Sequence, residues 1–358
     1  MRLKLLRRKQ KSVNLLAYHP RSQLAVPETV LTQGAFPAVD AHLHLGPRYP
    51  GEPFEERYDP ELLARGLEKA GILLGVDLEL FSWESFRRVR RHTAGYEQYF
   101  RFCAPVDLQG FEEPDFERKV EEQLLRAAEA PEICGIKIWK DLGMELRGKE
   151  GRLAKLTDEC FSPLWKQAGK LGLPVVLHVA DPPAFFEPAD LRNERLPELI
   201  RYPMWSYADR KELSFLGLLS QQEELVLRYP DTVFVIAHMG SWASNLDYVE
   251  GLLASHPNVY VDTAAVLSEI GRQPRRFRAL AEKFPERILF GTDLFGGDPL
   301  PYSYYYRFLE TEDEYFPYGP DESAQGFWRI YGCGLPKELL KKLYLENAKQ
   351  VFHLEIKT

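Results

Sequence analysis

From Phe36 onward one pattern repeats eight times: a short apolar run followed by an amphipathic stretch. The runs lie near 37–43, 71–79, 100–106, 133–139, 173–179, 232–238, 258–263 and 287–292. They are too apolar to be half-exposed, so both faces need cover. Covered strands alternating with helices read as a parallel sheet. Eight such units favour a closed (β/α)8 TIM barrel over an open doubly wound sheet. No Gly-x-Gly-x-x-Gly follows the first run, which removes the main cue for a dinucleotide fold. Candidate helices are Pro60–Leu67 with Asp59 as N-cap, Phe116–Ala130, Pro163–Leu171, Leu216–Arg228, Leu246–Ser255, Arg275–Phe284 and a final Pro336–Phe352. Residues 1–36, broken by Pro20, Pro27 and Gly34, read as an N-terminal arm before a barrel over 37–353.

Six polar residues sit at the carboxyl ends of these runs. They are His42 and His44, Lys137, His178, His238 and Asp293, in a chain with eight histidines. Barrel active sites lie at those ends, so motif and fold support each other. Residues two apart on a strand point the same way, so His42 and His44 can grip one ion together. His178 and Asp293 would reach it from strands five and eight, leaving one position open for water, as in a catalytic site. Neutral imidazole suits Zn2+, Mn2+ or Fe2+. His19, His92, His256 and His353 match no strand end and read as surface or packing residues.

Two stretches exceed ordinary loop length, 180–215 and 294–334, and both are rich in Tyr, Phe and Trp. They leave the catalytic end after strands five and eight, and suit either lids or a subunit interface, so a homo-oligomer stays open. The net charge of −7 argues against nucleic-acid binding and for a small-molecule substrate. No run approaches the roughly 20 apolar residues of a membrane span. The basic start, MRLKLLRRKQKS, has no apolar run behind it and reads as a solvated tail. Cys103, Cys134, Cys160 and Cys333 show no paired spacing, so reduced thiols and a cytoplasmic location are expected.

Together, the His-x-His, Leu177-His178, Ala237-His238-Met239-Gly240, Gly291-Thr292-Asp293 and the final Glu346-Asn347-Ala348 resemble the amidohydrolase superfamily. They resemble in particular its amidohydrolase-related group, which includes aminocarboxymuconate-semialdehyde decarboxylase and lactonase-like hydrolases. The likeness spans about Phe36 to Phe352. It implies one divalent metal ion, zinc first and manganese or iron as alternatives, held by His42, His44, His178 and Asp293. His238 would stand just outside as acid/base. The resemblance also marks Lys137 as the position where two-metal members carry a carboxylated, bridging lysine. Against that bridge and its second metal stands a plain cation for a substrate carboxylate, or a structural ion pair.

The function expected is a metal-dependent hydrolase acting on a small polar or carboxylate-bearing substrate, a lactone or amide, through a metal-activated water. The alternative is a metal-dependent nonoxidative decarboxylase, which would release carbon dioxide; a barrel that only binds a ligand fits the full set of strand-end residues less well. Lys137, Lys140, Arg195 and Arg272 are candidate cations for an anionic substrate, unless Asp141, Asp181 or Glu194 pairs with them.

Overall fold

The computed structural model describes residues 14–18, 20, 22–320 and 324–356. The basic start and His19 lie outside them. Nine parallel strands form one sheet: β1 (Ala38–His44), β2 (Ile72–Leu78), β3 (Phe100–Pro105), β4 (Ile133–Ile138), β5 (Val175–Leu177), β6 (Phe234–Ile236), β7 (Val259–Asp262), β8 (Ile288–Leu289) and β9 (Leu294–Phe295). The order is β8-β7-β6-β5-β4-β3-β2-β1-β9. β8 and β9 belong to one extended run, interrupted between Phe290 and Asp293. That run closes the barrel on β1: Ala41 donates to Phe290 O, Asp293 to His42 O and Gly296 to His44 O, each at 2.8 Å. The approach is close. A Cβ on Gly291 would stand 2.9 Å from that of His42, so only glycine fits there. The result is a (β/α)8 barrel with its eighth strand in two pieces.

The outer layer consists of α1 (Pro60–Lys69), α2 (Trp83–His92), α3 (Phe116–Glu129), α4 (Ser162–Lys170), α5 (Leu196–Arg201), α6 (Phe215–Arg228), α7 (Leu246–Ser255), α8 (Pro274–Lys283) and α9 (Tyr302–Glu310). It ends in α10, made of Lys337–Lys341, a π-turn Lys342–Glu346 and Asn347–Val351. Asp59 caps α1 as expected, accepting from the Glu61 and Leu62 amides. The interior carries Val39, Ala41, Leu74, Val76, Leu78, Cys103, Val176, Val235 and Leu289, joined by Ala348 and Val351 of α10 and by Phe352 just after it. The four cysteines are free thiols. No helix among the described residues is long and apolar enough to cross a membrane.

Three helices were not expected: α2, α5 and α9. The Arg-rich α2 buries only Ser85, Phe86 and Val89, too narrow a stripe to stand out among its charges. The short α5 lies within 180–215, and α9 lies within 294–334. Its Tyr302, Tyr305, Tyr306 and Phe308 are buried, with Phe290 and Tyr344 beside the tyrosines. Burying each such ring contributes about 1.5–3 kcal/mol, which is why these rings lie in the core and do not cover the mouth. The strand expected to reach His238 stops at Ile236. His238 and Met239 then turn back with φ of 57° and 54°. Left-handed residues of this kind cost roughly 1–2 kcal/mol each, and Ser241, Ala265 and Asp293 share that conformation nearby.

The C-terminal helix secures the broken eighth strand. Its π-turn frees the Leu343 carbonyl, which accepts the Phe290 amide at 3.1 Å. The buried Asn347 donates to Pro285 O (3.0 Å) and Ile288 O (2.7 Å). The run Glu346-Asn347-Ala348 therefore ties down the segment that delivers Asp293.

Candidate metal centre and substrate cavity

The end of β1 carries His42 and His44, and each ring is oriented by a bond at Nδ1. His42 Nδ1 lies 2.7 Å from Asp262 Oδ2, at the end of β7. His44 Nδ1 lies 2.7 Å from the Leu78 carbonyl. A carbonyl only accepts, so His44 Nδ1 bears the hydrogen and a neutral His44 has a lone pair at Nε2. Both Nε2 atoms converge on one oxygen, Asp293 Oδ1, at 3.3 Å for His42 and 3.0 Å for His44. The ligand atoms of His42, His44 and Asp293 all lie within 4.8 Å of one another. A second set, His42–His238–Asp262, also converges. Its carboxylate is already occupied by His42 Nδ1 and by the amides of His238 (2.8 Å) and Ala264 (3.2 Å).

The electrostatics favour a cation among the first three. Burial pushes His44 down to about 4 despite the Asp293 carboxylate, so the ring is neutral at pH 7 and its lone pair faces an anionic oxygen. Burial opposes charge on His42 as well, but Asp262 overrides it and raises that ring to about 9. Burial would raise Asp293 too; the rings of His42 and His44 beside it hold it well below the usual carboxylate range. His42 Nε2 is buried without a hydrogen-bond partner among the described residues. Two nitrogens and a carboxylate aimed at one point fit a divalent ion, which would take the place of a proton on His42 and meet the lone pair of His44.

His178 lies outside this group. Its ring sits edge-on to His238, centroids 4.5 Å apart, with Nδ1 3.3 Å from His238 Nε2 and Nε2 3.3 Å from Asp181 Oδ1. Burial and then the charge of His238 push His178 down to about 3. His238 bonds the Ala264 carbonyl through Nδ1 at 2.9 Å, which fixes its hydrogen there and leaves Nε2 as an acceptor. Lys137 is almost fully buried, and its Nζ has no hydrogen-bond partner among the described residues. Burial lowers it to about 8, against the pull of Asp262 and Asp293.

The other candidate cations are neutralised. Lys140 bonds Asp181 at 2.5 Å, and Tyr207 donates to the same oxygen at 2.5 Å. Arg195 is buried and holds Glu198 at 2.6 Å and, on its other arm, Glu269. Arg272 pairs with Glu194 at 2.9 Å, stacks on Trp328 and does not line the cavity. Each of these three cations thus has a carboxylate beside it.

The residues converge on a cavity of about 580 Å3 at the mouth. His44, Lys137, His178, His238 and Asp293 form one wall, and Phe81, Trp139, Phe185, Tyr202 and Trp205 supply much of the rest. Sequence reasoning missed Asp262 and Asp40. Asp40 bonds Thr292 Oγ1 (2.5 Å), the His42 amide (3.1 Å) and the Tyr302 hydroxyl (2.9 Å), and so joins β1 to the Asp293 turn. Both had a visible signal: Asp262 ends an apolar run, and Asp40 precedes His42 by two on the same strand.

The amidohydrolase family model (Amidohydro_2) matches residues 39–354. No curated protein matches by sequence. Among solved structures, 2,6-dihydroxybenzoate decarboxylase from Rhizobium is 17% identical with a TM-score of 0.52, covering 89% of this chain and 99% of its own. A dihydroxybenzoic acid decarboxylase from Polaromonas sp. JS666, with bound manganese and 2-nitroresorcinol, is 15% identical with a TM-score of 0.55, covering 89% and 97%. A probable 2-pyrone-4,6-dicarboxylic acid hydrolase from Acinetobacter baumannii, with citric acid bound, is 14% identical with a TM-score of 0.50, covering 88% and 99%. At these identities the likeness is one of fold. The match of the family model over nearly the whole barrel decides the family: the chain belongs to the amidohydrolase family.

Proposed function

We propose that the chain is a metal-dependent hydrolase of a small substrate with a carbonyl centre, a lactone or amide. The observation that carries this reading is the convergence of the His42 and His44 Nε2 atoms on Asp293 Oδ1 within 3.3 Å. His42, His44 and Asp293 would hold one divalent ion, zinc first and manganese or iron(II) as alternatives; His178, outside that group, would serve as fourth donor only after its ring turns away from His238 and Asp181. Such an ion supplies Lewis acidity and lowers the pKa of a bound water toward about 7.

The chain's own residues do the rest. Asp262 holds His42 in the orientation that turns Nε2 to the centre. His238, with Nδ1 tied to Ala264 O, presents an acceptor nitrogen on the cavity wall. It takes a proton from the attacking water and returns it to the leaving group. Lys137 sets a buried positive charge where negative charge grows on the substrate oxygen. The aromatic walls keep bulk water out. The acceptor tautomer of His238 favours hydrolysis, because decarboxylation requires no base to activate water. A cytoplasmic location and a small-molecule partner belong to the same reading.

The test is a panel of lactones, amides and carboxylic acids on metal-loaded protein, with His238→Asn beside it. The variant should keep its metal and lose on the order of 10²–10⁴ in rate. Carbon dioxide released in step with turnover would assign nonoxidative decarboxylation instead. Failure to bind any divalent ion would sink both.

A further inference from the structure

Among the described residues, seven buried side-chain nitrogens and oxygens lack a hydrogen-bond partner. Three belong to the metal wall: His42 Nε2, Lys137 Nζ and His178 Nε2. Three others gather behind the barrel, at Asp77 Oδ2, Glu79 Oε2 and Ser85 Oγ. The path of β2 explains the grouping. Leu74, Val76 and Leu78 face the interior, so Asp77 and Glu79, two apart, turn to the other face, against the helix layer. Asp77 is fully buried and Glu79 is 2% exposed. Each uses one oxygen: Asp77 Oδ1 accepts the Leu45 amide at 2.7 Å, and Glu79 Oε1 accepts the Phe81 amide at 3.0 Å. Ser85 of α2 stands beside Glu79 at a geometry that completes no hydrogen bond.

The cations nearby are engaged elsewhere. From the β1–α1 loop, Arg57 directs Nη2 to Gly46 O at 2.7 Å and Nη1 towards Glu52 at 3.7 Å. Arg88 of α2 is held by Glu55 at 2.7 Å. Tyr58 donates to Leu45 O at 3.1 Å, and His92 bonds the Tyr58 carbonyl. On the interior side of β3, the Cys103 thiol is buried. Burial and then the Glu79 charge push Asp77 well above the usual carboxylate range, and only the Leu45 amide opposes them. Burial pushes Glu79 up as well, against the amides of the turn that follows it. Two buried like charges without a counter-ion cannot both persist. One proton resolves the conflict, because it makes one carboxyl a donor to the free oxygen of the other.

We infer that Asp77 and Glu79 hold one proton between them in the folded protein at neutral pH, a pH-sensitive brace behind the cavity wall. Its placement gives it leverage. Leu78, between the two, supplies the carbonyl that orients His44, and the Leu45 amide held by Asp77 comes directly after His44. Phe81, whose amide Glu79 holds, lines the cavity. Loss of the proton sets two negative charges against each other at that point. The inference stands apart from the reaction assigned to the centre.

Denaturant unfolding of the metal-free protein across a pH series tests it. The ordinary values of the two carboxyls are 3.8 and 4.5, so the unfolded chain has lost both protons by about pH 5. Above that the folded pair still binds one, and its contribution to the folding equilibrium constant falls about tenfold per pH unit until the pair titrates. Asp77→Asn imitates the protonated pair: its oxygen keeps the Leu45 amide and its NH2 donates to Glu79 Oε2. Other titrating groups are common to both proteins and cancel in the ratio. The ratio of native to variant folding constants should therefore fall about tenfold per unit between about pH 5 and 7. Glu79→Gln, which donates in the opposite direction, should give the same slope and serves where Asp77→Asn does not fold. A ratio that does not change with pH overturns the inference, since it means that the folded pair carries no proton that the unfolded chain lacks.

Discussion

Replacing Asp262 with asparagine puts the metal centre under its most direct stress. In the native chain Oδ2 receives His42 Nδ1–H at 2.7 Å, while Oδ1 receives the amides of His238 and Ala264 at 2.8 and 3.2 Å. Asparagine keeps the volume and one oxygen. That oxygen stays with the two amides, so the NH2 group faces His42. A donor there forces Nδ1 to accept and moves the ring hydrogen to Nε2, the nitrogen 3.3 Å from Asp293 Oδ1. A protonated nitrogen cannot ligate. Loss of such an outer carboxylate typically costs 10–100-fold in metal affinity, and a reversed tautomer belongs at the upper end, about 2.7 kcal/mol. The metal-free protein should also lose about 1.5–3 kcal/mol, the worth of a hydrogen bond to a charged group. Chelator competition at pH 7 measures the first quantity and denaturant unfolding the second. A variant equal to the native chain in both refutes the argument that Asp262 sets the His42 tautomer.

Two further outcomes follow from individual bonds. Because Asp262, against burial, raises His42 to about 9, the ring is charged at pH 7 in the metal-free protein and must lose its proton to bind an ion. Metal affinity should therefore rise with pH, by up to about tenfold per unit between 7 and 9, and level off above; calorimetry in buffers of different ionisation enthalpy should count about one proton released at pH 7, and none would contradict the assignment. Asn347→Ala removes both donors to Pro285 O and Ile288 O and should lower stability by about 2–4 kcal/mol, whereas an unchanged unfolding midpoint would show that α10 does not secure the eighth strand.

What could be read from the sequence, and what could not, divides along a physical line. A parallel strand buried on both faces must be apolar throughout, so the barrel rhythm shows in the chain, and a histidine closing such a run stands out. Asp262 carries the same signal at the end of Val-Tyr-Val, yet aspartate also caps turns, and only the 2.7 Å bond to a residue 220 positions away decides its part. The tyrosines of α9 have both an apolar body and a polar tip. Their burial depends on Phe290 and Tyr344, which are not their neighbours in sequence. The same holds for charge. Lys140 finds Asp181 across 41 residues and Arg195 finds Glu269 across 74. Cations are counted one at a time in a sequence, whereas in a fold each is met by whatever carboxylate the topology brings beside it. A mouth that reads as basic residue by residue becomes acidic once those partners arrive.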